Sequence, residues 1–206
     1  FQDITSIVGI STASGTADMC SAFFDIENDN VLELITIVDK YNEPNKLYKK
    51  NSPSTYTEVS STYWDVAFDQ LDAMNAGIGD FNNDGYDDIV TVDMPPPDNK
   101  RWKLTIPGNR YDEFNNSVNL GYDPQYVRNT LQLNNGDGTF SEIAQVSGIN
   151  ATEWSWGPLF ADFDNDGWKD LFVANGYKTD ITNLDFMTYG KRALFMGTPG
   201  ANRRER

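Results

Sequence analysis

Short apolar runs alternate along the chain with clusters of Gly, Asn, Asp, Ser and Thr. Such punctuation predicts an all-β fold. The clearest stretch reads as four strands in succession. A first strand, Ala76 to Phe81, leads into an acidic loop, and a second, Asp88 to Asp93, leaves it with Ile89, Val90 and Val92. A third, Asn129 to Leu133, runs into Asn134-Asn135-Gly136-Asp137-Gly138. Those five residues tolerate positive φ and predict a hairpin turn. A fourth strand spans Thr139 to Ala144. No segment carries sustained helical periodicity, and Asn183 to Tyr189 is the one place where a short helix is expected.

The pattern repeats. Phe1-Gln2-Asp3-Ile4, Tyr56-Thr57-Glu58-Val59 and Phe140-Ser141-Glu142-Ile143 share an aromatic, a polar residue, an acid and a β-branched residue. Acidic loops open at Asp25, Asp80 and Asp162, which lie 24, 24 and 22 residues after those aromatics. Asn45-Lys46-Leu47-Tyr48 and Asn129-Thr130-Leu131-Gln132 each begin 11 residues before an aromatic. Four antiparallel strands per recurring unit describe a propeller blade. The expected fold is therefore a β-propeller fragment of four-stranded antiparallel blades. Residues 1–10 would close a preceding blade, 18–60 would form a blade with a degenerate loop, 74–147 a further blade, and 154–206 the start of another. The loops are spaced by 55 and 82 residues, so the longer interval holds an insertion at about 94–126, with Pro95-Pro96-Pro97 near its start. A proline triplet favours extended geometry and cannot join a central strand. The insertion reads as an excursion from one blade face, a recognition loop or a plain decoration. Fewer than four blades do not close a propeller. The chain is thus expected to be an excerpt, or to depend on a partner that covers its open edges.

Charge narrows the partners. The 206 residues carry 31 acidic and 16 basic side chains, a net charge of −15. That field repels nucleic-acid phosphates and anionic lipid and favours a cation. Histidine is absent, which removes the commonest general base and zinc ligand. Cys20 is the single cysteine, in an apolar stretch that predicts a buried thiol rather than a disulfide or nucleophile. No apolar run is long enough to span a bilayer. The chain starts at Phe1, which is expected of a processed or internal piece.

The acids are clustered where a hard cation would want them. Asp162, Asp164, Asp166 and Asp170 stand at positions 1, 3, 5 and 9 of a loop with Gly167 at position 6. Alternate side chains of a tight loop converge, Gly accepts the sharp turn, and the carbonyl of Trp168 at position 7 can add an oxygen. Crowded carboxylates repel each other, and a bound Ca²⁺ converts the repulsion into attraction. Mg²⁺ prefers a tighter octahedron. The second loop offers Asp80, Asn82, Asp84, Asp88 and the Tyr86 carbonyl, with Asn82 as a neutral oxygen donor. The first offers Asp25, Glu27, Asp29 and Glu33, with Asn30 in place of Gly. Its longer side chains and its Asn make it degenerate, with weak or absent metal expected. Two Ca²⁺ sites and a degenerate third are the expectation. An EF-hand requires a Glu at position 12 between helices. Position 12 here is Thr36, Thr91 or Val173, each in a β-rich run. Solvated acidic turns are the plain alternative for any one loop; three in register within a repeat favour metal.

These loops, together with Asn129-Thr130-Leu131-Gln132-Leu133-Asn134-Asn135-Gly136-Asp137-Gly138-Thr139-Phe140, resemble the FG-GAP/VCBS repeats of integrin-α-like propellers. The run from Trp154-Ser155-Trp156-Gly157 to Asn175-Gly176-Tyr177 is similar to that of secreted bacterial VCBS proteins associated with ASPIC/UnbV segments and cartilage acidic protein. The resemblance implies a propeller, loop-bound Ca²⁺ and an extracellular or cell-surface location. It implies ligand roles for Asp80, Asn82, Asp84 and Asp88, and for Asp162, Asp164, Asp166 and Asp170. The first loop departs from the pattern at Glu27, Asn30 and Glu33. No single activity is implied.

Three functions follow as expectations. The first is an interaction or adhesion module for a protein or glycan, with Arg101, Trp102, Tyr111 and Phe114 of the insertion as contact residues; Trp154 and Trp156 are expected to pack on a neighbouring blade. The second is a polysaccharide-active lyase or hydrolase, although no nucleophile elbow, zinc motif or phosphate loop is present. The third is an architectural segment of a larger secreted protein.

Overall fold

The structure is a computed structural model that describes residues 5–10, 17–39, 44–63, 73–105, 111–120, 124–176, 183–186 and 188–189. It is mostly β. The first sheet has the order β1 (Ala17–Phe24), β2 (Glu33–Asp39), β3 (Lys46–Ser52), β4 (Thr55–Glu58), all antiparallel. One helical turn, α1 (Ser60–Tyr63), follows. The second sheet repeats the order with β5 (Asn75–Gly79), β6 (Asp88–Val92), β7 (Thr130–Asn134) and β8 (Phe140–Glu142). The third pairs β9 (Ser155–Ala161) with β10 (Asp170–Asn175). Each acidic loop joins the first and second strands of its sheet. The Phe1–Ile4 segment lies outside the described residues, as do Tyr177 and residues 190–206. Beside β4, Tyr56 N donates to Val8 O at 2.7 Å.

The repeat extends to single hydrogen bonds. Asn45 Oδ1 accepts from Val38 N at 3.0 Å, and Asn129 Oδ1 accepts from Asp93 N at 2.9 Å. In each blade a buried Asn at the foot of the third strand thus closes the end of the second.

The sheets stack in chain order, and β6 shows why the second strand is so apolar. Successive side chains of a strand point to opposite faces. Ile89 joins a core cluster with Phe24, Ile35, Ile37 and Leu47 of the first blade. Val90 and Val92 join a second cluster, against which Phe160, Leu171 and Val173 of the third sheet pack. Every residue of β6 is buried. Gly77 lets the sheets approach: a Cβ there would lie 3.1 Å from Val90 Cγ1 and 3.2 Å from the Pro158 carbonyl oxygen. Among the described residues only the inner face of the third sheet is covered, and its Leu159 and Phe172 are exposed. Cys20, expected to be buried, is half-buried at the edge of the first cluster.

The insertion departs from the expectation of a non-helical excursion. It holds α2 (Asn99–Thr105) and α3 (Tyr111–Asn119). Asp98 caps α2 by accepting from Arg101 N at 2.8 Å, the ordinary service of an Asp before a helix. Tyr111, Phe114 and Val118 recur at helical spacing, a signal that the proline triplet and the short lengths obscured. Residues 184–186, 188 and 189, within the expected short helix, are helical.

Candidate metal centre

The three acidic loops are built by one set of backbone-to-carboxylate hydrogen bonds. The carboxylate at position 1 accepts twice. Asp25 takes Asp29 N at 2.9 Å and Asn30 N at 2.6 Å; Asp80 takes Asp84 N at 3.1 Å and Gly85 N at 2.9 Å; Asp162 takes Asp166 N at 3.0 Å and Gly167 N at 2.9 Å. The position-5 acid accepts from the position-7 amide: Asp29 from Val31 at 2.8 Å, Asp84 from Tyr86 at 2.9 Å and Asp166 from Trp168 at 2.8 Å. The position-9 acid reaches back to the amide of position 2: Glu33 to Ile26 at 3.1 Å, Asp88 to Phe81 at 3.0 Å and Asp170 to Phe163 at 3.1 Å. Positions 4 and 6 take positive φ in every copy, at Asn28 and Asn30, Asn83 and Gly85, and Asn165 and Gly167. Asn30 adopts φ 65° and performs the Gly role, so its substitution leaves the first loop's backbone intact.

In the third loop, ligand oxygens of Asp162, Asp164 and Asp166 lie within 4.8 Å of one another, and all three residues are exposed. Calcium–oxygen bonds of about 2.3–2.6 Å limit donors around one ion to about 5 Å apart. The donor set therefore fits Ca²⁺ in size and chemistry. Only one oxygen each of Asp164 and Asp166 is taken by the turn, through Asp166 N and Trp168 N. Asp170 stands outside this group, its Oδ2 on the Phe163 amide.

The other two loops fill the same frame differently. In the second, Asn82 Oδ1 accepts from Asp84 N at 3.1 Å, while its Nδ2 donates to Asp84 Oδ2 at 2.9 Å. The Asn82 oxygen has a second lone pair beyond the one that takes Asp84 N, and that is the donor it could offer a cation. Lys169 Nζ, from the third loop, donates to Asp80 O at 2.7 Å. Asp88 is fully buried and accepts from both Asn134 N at 2.9 Å and Phe81 N at 3.0 Å, clamping the loop to β7. Burial pushes its pKa up to about 6. Burial likewise raises Asp87. In the first loop the Glu27 carboxylate is held by two groups from outside the loop. Its Oε2 meets Lys49 Nζ at 2.5 Å and its Oε1 accepts from the Tyr63 hydroxyl. The Lys49 hydrogen bond holds Glu27 below the ordinary carboxylate range.

The expected contact residues of the insertion divide. Arg101 is paired with Glu153 at 2.6 Å, Trp102 is half-buried, and Phe114 packs on Tyr126 with ring centroids 5.5 Å apart. Tyr111 is exposed. Trp156 is partly exposed, with its ring against Gly176, and its carbonyl accepts from Asn75 of the second sheet at 3.1 Å.

Compared with known proteins, residues 118–173 match the FG-GAP-like repeat family. The matched stretch runs from the end of α3 through β7, β8 and β9, the third acidic loop and into β10. No curated protein matches the chain. The chain thus contains an FG-GAP-like repeat, and its sheets fit the blades of such propellers.

Proposed function

We propose that this chain is a calcium-stapled part of an extracellular propeller, acting as an interaction module for a protein or glycan. The observation that carries the reading is the Asp162–Asp164–Asp166 group, in a loop whose hydrogen-bonded frame recurs twice more. A bound Ca²⁺ would neutralise the crowded carboxylates and pin the β9–β10 connection. Asp162, Asp164 and Asp166 would hold it, with the Trp168 carbonyl and Asp170 assigned by the resemblance to VCBS-type repeats. The second loop would hold Ca²⁺ through Asp80, Asn82 and Asp84. The metal's role is structural. Tyr111 and Leu120, exposed at the two ends of α3, support the insertion as the contact surface, since propeller function sits on loops. In this reading the chain is not an enzyme, and degradation of a polysaccharide in a chelator-sensitive assay would count against it.

Calcium titration followed by thermal melting tests the metal. Ca²⁺ at about 100 times its Kd stabilises the fold by about 2.7 kcal/mol, or roughly 5–10 °C in a chain of this size. Asp164→Ala with Asp166→Ala should abolish the third loop's share of that rise and leave that of the second loop. Equal melting temperatures in Ca²⁺ and EDTA would sink the proposal.

A further inference from the structure

The first loop has the frame of the other two but a different interior. Its Glu27 carboxylate is held by two groups from outside the loop: the Lys49 ammonium on β3 at 2.5 Å, and the Tyr63 hydroxyl on α1. Aligning the blades on Asn45 with Asn129, and on Tyr56 with Phe140, places Leu133 and Ser147 where the first blade has Lys49 and Tyr63. The strand registers agree, since Lys49 faces Thr57 and Leu133 faces Ser141. Of the first two blades, the first alone therefore brings an ammonium and a phenol to its acidic loop from these positions. The same blade has the longer acids Glu27 and Glu33, and Glu27 makes no turn hydrogen bond like that of Asn82 or Asp164 to the position-5 amide. Glu33 is fully buried, with Oε2 on the Ile26 amide and Oε1 without a hydrogen-bond donor.

We propose that Lys49 is the resident cation of the first loop, so that this blade is held without a metal ion. A tethered ammonium supplies charge compensation that a divalent ion supplies elsewhere, and it cannot be removed by chelation. The extra methylene of Glu27 lets its carboxylate leave the loop and meet the lysine. The degeneracy of the loop is then a substitution of one counter-ion for another. The orphaned oxygen of Glu33 poses the competing reading, a third calcium site with Glu27 and Glu33 as ligands.

Two measurements on the full chain decide between them. In EDTA, Lys49→Met should lower the melting temperature by about 2–4 °C. The double variant Lys49→Met with Glu27→Gln, which removes both charges, should recover most of that loss; a lysine that acted only through its packing would show no recovery. In calorimetric titration with Ca²⁺, Glu27→Gln should leave the number of bound ions unchanged. Loss of one ion from Glu27→Gln, or wild-type melting of Lys49→Met in EDTA, would overturn the proposal. The inference uses the calcium reading of the later loops only as its contrast. A wild-type chain that binds no calcium would remove that reading, and the melts in EDTA would still decide the role of Lys49.

Discussion

Asp88 illustrates how one buried carboxylate serves the frame. It is 0% exposed and satisfies two backbone amides, Phe81 N and Asn134 N. Replacing it with Ala orphans both amides, and about 2–4 kcal/mol of stability should be lost in denaturant unfolding. Its titration has a definite sign. Its folded pKa is about 6, raised by burial above the ordinary 3.8, so the fold favours the protonated form. That contribution is full below the unfolded pKa and is lost as pH rises through about 6. In EDTA, lowering the pH from 7 to 5 should therefore favour wild type over Asp88→Asn by about 1 kcal/mol. An unchanged gap would mean that Asp88 stays ionised. Asn30 teaches a different lesson at this scale. The substitution of Gly by Asn looked like the defect of the first loop, yet Asn30 accepts the left-handed conformation and makes the Gly hydrogen bond. The real difference lies in Glu27 and its partner Lys49, which is 22 residues away in sequence.

Elements are joined by contacts that recur from blade to blade. Asn28 Nδ2 donates to Gly85 O at 3.2 Å, and Asn83 Nδ2 donates to Gly167 O at 2.9 Å. The position-4 Asn of one loop thus holds the position-6 carbonyl of the next. Below this ladder, Phe81 stacks on Phe160 with centroids 6.1 Å apart, and Gly77 faces Pro158. Gly77→Ala would place a methyl against the Pro158 backbone and Val90, so sheet spacing must give. A loss of about 1–2 kcal/mol is expected, read from the denaturation midpoint. A neutral result would show that the second and third sheets slide apart freely.

Across the whole molecule, equivalent positions meet different fates. Ile35, Val90 and Phe172 each stand ten residues after the first acid of their loop. The first two are 0% exposed and Phe172 is 54% exposed. Ile26 is buried and Phe81 packs on the second cluster, whereas Phe163 and Trp168 are exposed. The next sheet covers the first two blades; the outer face of the third is uncovered among the described residues. Val90→Ala should cost about 2–3 kcal/mol. Phe172→Ala should cost less than about 1 kcal/mol in the isolated chain. Equal costs would contradict an open face. The exposed apolar face supports the proposal that a further blade covers it in the complete propeller.

How much of this was legible in advance follows from range. Apart from the pairing of β6 with β7 across the insertion, the all-β class, the strand order within each sheet and the frame of the acidic loops rest on residues close in sequence. Alternation, turn residues and acids at alternate positions write these directly into the sequence. The helices of the insertion were legible only in part, since two short helices with few apolar residues leave a weak period. What fills each loop could not be read there. The Lys49–Glu27 pair, the Lys169 contact with Asp80 and the burial of Asp88 join groups from different strands or blades. The sequence by itself determined three similar acidic turns; only the packing of β3, β7 and the neighbouring loops decided which turn keeps its carboxylates grouped for a metal and which meets a lysine.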